Sequence, residues 1–118
     1  MNKVKITLNK KKFDFHFGLG FFGELKENQG IGIEDVQKGL KDNPFKIVPK
    51  LMLEAAKYSA MRRGAEFKYG IYDFIDAIDA DGGISAPAFI EFLEALTNSM
   101  TKDVPKEEDT KKKVKPKK

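Results

Sequence analysis

Residues 3–17 alternate between polar and apolar positions. Val4, Ile6 and Leu8 are interleaved with Lys3, Lys5 and Thr7, and Phe13, Phe15 and Phe17 with Asp14 and His16. A period of two puts each apolar set on one face of a strand, so this segment is predicted to be a β-hairpin. With Lys10 and Lys11 as the turn, Leu8 faces Phe13, Ile6 faces Phe15 and Val4 faces Phe17, which makes one face wholly apolar. Lys-Lys suits a two-residue turn poorly, and a four-residue loop over residues 9–12 serves equally well. A lone hairpin is unstable in water. Helices must therefore cover the three Phe.

The period then changes. Leu19, Phe22 and Leu25 recur at helical spacing over residues 19–29, with Gly30 as the stop. Ile33, Val36 and Leu40 mark a short helix over residues 34–41. Asn43-Pro44 is a start signal, an N-cap followed by Pro at the first helical position. The helix it opens runs to about Arg63, where two Arg precede Gly64. Pro49 lacks an N–H and is expected to kink or split it. Only Glu54 is polar in residues 51–56, which predicts the central buried helix. Residues 70–80 place Ile71, Phe74, Ile75 and Ile78 on one face. Gly82-Gly83 breaks the chain, and Ser85 with Pro87 restarts it. The last helix carries Phe89, Phe92, Leu93, Leu96 and Met100.

The fold class is therefore α+β: an N-terminal β-hairpin packed on a mostly α-helical body of four to five helices. Residues 1–102 form one domain, and residues 103–118, rich in charge with two Pro, are expected to be a disordered basic tail. At 118 residues there is room for one domain only, and a hydrophobic fraction of 41% suffices for a core.

Charge changes the picture only when it is located. The net charge is +4, yet residues 111–118 hold six Lys and no acid, which leaves −2 for residues 1–110. The body lacks a general positive excess for a phosphate backbone. No Cys is present, so disulfides, thiolate metal sites and Cys nucleophiles are excluded. Neither a continuous apolar stretch at the amino terminus nor a run long enough to span a membrane occurs. A cytoplasmic location is expected.

Several motifs carry the letters of chemistry without its full set. Residues 79–85 resemble a calcium loop, with Asp79 and Asp81 before Gly82 and Ile84. In that register the first ligand and the closing bidentate Glu fall on Ala77 and Ala88. Asp73, Asp76 and Asp79 share a face, read as solvated or as a dock for a basic partner. His16 is the single His and lies on the hairpin's polar side. Ser59, Ser85 and Ser99 lack a nucleophile-turn motif. Residues 18–23 spell G-x-G-x-x-G, but no βαβ unit follows. No cofactor, metal or catalytic set emerges, and no enzyme is expected.

The order of features resembles the small tail assembly chaperones of long-tailed bacteriophages. The resemblance rests on Val4-Lys5-Ile6-Thr7-Leu8-Asn9-Lys10-Lys11-Lys12-Phe13-Asp14-Phe15 and on Phe17-Gly18-Leu19-Gly20-Phe21-Phe22-Gly23-Glu24-Leu25. Asn43-Pro44-Phe45 and Tyr72-Asp73-Phe74-Ile75-Asp76 extend it over most of residues 1–100. It implies a protein that keeps the helical tape-measure protein soluble in the infected host's cytoplasm until the tail tube forms, and that is absent from the finished virion. Self-association and the tail-tube protein are further partners under that resemblance. Two other classes share the size and composition. They are a structural tail or head–tail connector subunit, and a nucleic-acid accessory protein acting through the Lys-rich tail.

A partner with amphipathic helices needs an apolar surface. Ile90 and Phe92 flank the Phe89–Leu93–Leu96 line, Tyr72 lies at the margin of its helix face, and Phe21 adjoins Phe22. Phe21, Tyr72, Ile90 and Phe92 are therefore the expected partner contacts.

Overall fold

A computed structural model describes residues 3–103. Two strands, β1 (Lys3–Leu8) and β2 (Lys11–His16), precede five helices: α1 (Leu19–Gln29), α2 (Ile33–Asp42), α3 (Pro44–Arg63), α4 (Ile71–Ala80) and α5 (Pro87–Asp103). A single 3₁₀ turn, Gly83–Ser85, links the last two. The expected hairpin and helical body are present. The tail expected to be disordered lies, from residue 104 on, outside the described residues.

The hairpin turn is Asn9-Lys10, one residue earlier than the Lys10-Lys11 turn. Both residues have positive φ, 48° and 69°. Asn tolerates the left-handed region better than other side chains, and a turn left-handed at both positions matches the strand twist. Ile6 consequently pairs with Phe13 and Val4 with Phe15, while Leu8 pairs with Lys11. The register differs by two residues from the expected one. An even shift keeps every side chain on its face, so Ile6, Leu8, Phe13 and Phe15 are all buried.

A chain of rings joins the hairpin to the helices. Phe21 meets Phe17 at 5.4 Å, Phe17 meets Phe92 at 5.4 Å, and Phe92 meets Phe15 at 5.1 Å. Phe74 then meets Phe13 at 5.2 Å. α3 is the hub, touching β2, α1, α2 and α4. It is one helix from Pro44 to Arg63 and is not split at Pro49. Gly64 ends it in the left-handed conformation, with φ of 69°. Gly39 allows α2 close to α3, because a Cβ there would collide with the side chain of Ile47. Buried Glu54 is held by the amides of Asn28 (3.1 Å) and Gln29 (2.9 Å) at the end of α1.

Candidate partner-binding surfaces

The structure divides the four expected contact residues. Phe21 and Phe92 have no exposed surface and belong to the ring chain of the core, which corrects their reading as contacts. On α1, with residues about 100° apart, Phe21 and Phe22 straddle the buried direction and both point inward. On α5 the buried line runs through Ala88, Phe89, Phe92, Leu96 and Ser99. Small residues thus shift the face so that Phe92 lies at its centre. Tyr72 and Ile90 stand outside the core, 74% and 47% exposed. Tyr72 is on α4. Ile90 lines a separate shallow depression of about 470 Å³ along α5 with Leu93, Glu94, Thr97 and Asn98.

A groove not anticipated from the sequence lies where α3, α4, the 3₁₀ turn and α5 meet. Phe45, Pro49, Ile75, Ile78 and Phe89 form its apolar walls, with Asp79 and Gly83 at the rim, around about 220 Å³. Phe45 is 68% exposed. It follows Pro44 in the first turn of α3, on the same side as the buried Val48, Pro49 and Met52 three, four and seven residues on, and is left exposed at the start of the helix. Periodicity alone therefore gave no signal that Phe45 stands outside the core. Tyr72 precedes Ile75 by three residues on α4 and so shares its side of the helix.

Two of the acidic candidates, Asp73 and Asp81, have structural partners. Asp73 accepts a hydrogen bond from the Gly70 N–H at 2.7 Å and caps α4. Oδ1 of Asp81 accepts one from the Asn9 N–H at 3.0 Å. Among the described residues, no group of three or more His, Cys, Asp or Glu side chains is placed to hold a metal ion. Among them, too, no helix is long and apolar enough to cross a membrane.

A second concave surface is polar. It lies over the polar face of the hairpin and beside the last turn of α3, encloses about 460 Å³, and is lined by Lys3, Lys5, Asp14, His16, Arg62 and Arg63 among others. The His16 ring rests against the ring of Tyr58 at 4.9 Å. Burial, followed by the charges of Arg62 and Lys3, lowers the His16 pKa below its ordinary 6.5.

No protein-family model, curated protein or solved structure matches this chain.

Proposed function

We propose that this protein is an assembly chaperone of the long-tailed phage type, which holds amphipathic helices of a tape-measure-like partner and keeps that partner soluble without a catalytic step. The observation that carries the reading is the apolar groove between α3, α4 and α5, with Phe45 standing largely in solvent at its wall. A partner helix would seat an apolar residue of its i, i+3, i+4 stripe between Phe45, Ile75 and Phe89, and Tyr72 would extend the contact along α4. A basic residue flanking that stripe would meet Asp79 at the rim. Hydrophobic contact of this kind suits a holding function, since an unpaired apolar stripe is what drives such helices to aggregate.

Co-expression tests the reading. The tape-measure partner should be soluble with this protein and insoluble without it. Phe45→Asp combined with Tyr72→Asp should abolish the rescue while the chaperone itself stays folded. A partner that aggregates regardless, or rescue that survives both substitutions, would overturn it.

A further inference from the structure

The polar cleft is an island of positive charge on a body that is otherwise slightly acidic. Of its lining residues Lys3, Lys5, Arg62 and Arg63 are cationic and Asp14 alone is anionic, so four positive charges face one negative. That carboxylate does not satisfy them. Asp14 stands 3.8 Å from Lys5 Nζ and 3.9 Å from Arg63 Nη2, beyond hydrogen-bond distance in both cases. Arg62 donates to a neutral partner, the Tyr58 hydroxyl, at 2.9 Å. Among the described residues, Lys3 has no carboxylate within ion-pair distance. Lys3 and Lys5 are distant in sequence from Arg62 and Arg63, and the fold of the hairpin against α3 gathers their charges.

We infer that this cleft binds a carboxylate-rich segment of another protein, with the guanidinium groups of Arg62 and Arg63 and the ammonium groups of Lys3 and Lys5 as its ligands. Asp14 indicates the chemistry accepted there, since the chain's own carboxylate already sits between Lys5 and Arg63 at long range. Guanidinium groups present donors in a fork that fits carboxylate oxygens. A nucleic acid fits less well. Its charge is spread along a strand and needs a continuous basic track, whereas residues 1–110 sum to −2 and the cleft gathers four cations around a carboxylate, Asp14. The cleft shares no lining residue with the apolar groove, so this contact is separate from the one proposed above.

His16 supplies a reporter inside the cleft. Burial and, after it, the charges of Arg62 and Lys3 hold its pKa down, and an anion placed between the cations would offset their part and let it rise. Titration of the full chain with a blocked oligoglutamate peptide, followed by NMR of the His16 imidazole, is the experiment. The peptide should bind, raise the His16 pKa and lose affinity with added salt. Combined Arg62→Glu and Arg63→Glu should weaken it about tenfold or more. Asp14→Asn removes the internal competitor and should tighten it roughly threefold, a gain that unfolding cannot mimic. Removal of residues 111–118 should leave the His16 response intact. The inference fails if the Arg variants bind as well as the natural chain, if Asp14→Asn does not strengthen binding, or if only the tail deletion abolishes it. It also fails if single-stranded oligothymidylate moves the His16 pKa and oligoglutamate does not.

Discussion

The backbone N–H of Asn9, at the hairpin tip, donates a 3.0 Å hydrogen bond to Oδ1 of Asp81, the residue that caps the end of α4. Seventy-two residues separate the two in sequence. The bond closes the hairpin over the Phe13–Phe74 contact, and it gives the aspartate of the calcium-like segment a structural task. The bond is exposed, so Asp81→Ala should cost about 1 kcal/mol, and Asp81→Asn, which keeps an acceptor, less. Added calcium should leave the melting temperature of the natural chain unchanged, since a bound ion would raise it by mass action. A calcium-dependent rise that Asp81→Ala removes would show that the segment is a metal site.

The same substitution should have opposite signs at two glycines. At Gly39 a new Cβ meets Ile47 at three atoms, including its Cβ at 3.2 Å, so a rotamer change alone cannot relieve it. Overpacking of about 1–3 kcal/mol outweighs the helix-propensity gain of about 1 kcal/mol, and Gly39→Ala should destabilise. At Gly23, inside α1, nothing lies within 4 Å. Gly23→Ala should therefore stabilise by roughly 0.5–1 kcal/mol. Chemical denaturation of both variants measures the contrast, and a shared sign would mean that the α2–α3 approach is looser than described.

Periodicity made the elements legible, because burial and secondary-structure period are coupled along each segment. The Asn43-Pro44 start, the Gly64 stop and the break at Gly82-Gly83 all fall where local chemistry requires them. What periodicity handled badly was phase. Ala88 and Ser99 are buried on α5, and a face drawn through large residues alone misplaced Phe92 by about half a helical step. Leu19, counted on the inner face of α1, is 82% exposed, since Phe21, Phe22 and Leu25 set that face. Neither concave surface was legible. The apolar groove joins residues of α3, α4 and α5, and the basic cleft joins β1 to the end of α3, so both exist only once the elements are packed.

His16 should make stability fall as the solution is acidified. Burial and the neighbouring Arg62 and Lys3 lower its folded pKa below the unfolded value of 6.5. Above 6.5 the ring is neutral in both states and has no effect. As pH drops through 6.5 toward the folded pKa, the unfolded chain binds the proton first and native stability declines, levelling off below the folded pKa. The ring is partly solvated, so the effect is small. His16→Gln should remove that component, and melting temperatures of both proteins across this window measure it. Parallel profiles would show that the cations do not act on the ring.

Burial separates two groups of aromatic and aliphatic residues that the sequence placed together. Phe92 is fully buried between Phe15 and Phe17, and its loss alone costs about 3–5 kcal/mol before the burial of a carboxylate is added. Against a total stability of about 5–15 kcal/mol, Phe92→Asp should unfold the domain. Phe21→Asp should behave alike, as Phe21 is equally buried against Phe17. Phe45→Asp, Tyr72→Asp and Ile90→Asp replace side chains that are 68%, 74% and 47% exposed, and each should shift stability by no more than roughly 0.5 kcal/mol. Circular dichroism of the five purified variants distinguishes the groups without reference to any partner. Only the three exposed positions can therefore report on partner binding, because a loss of rescue at Phe21 or Phe92 would follow from unfolding. A folded Phe92→Asp protein, or an unfolded Tyr72→Asp protein, would overturn the assignment of the core face of α5 or the exposed face of α4.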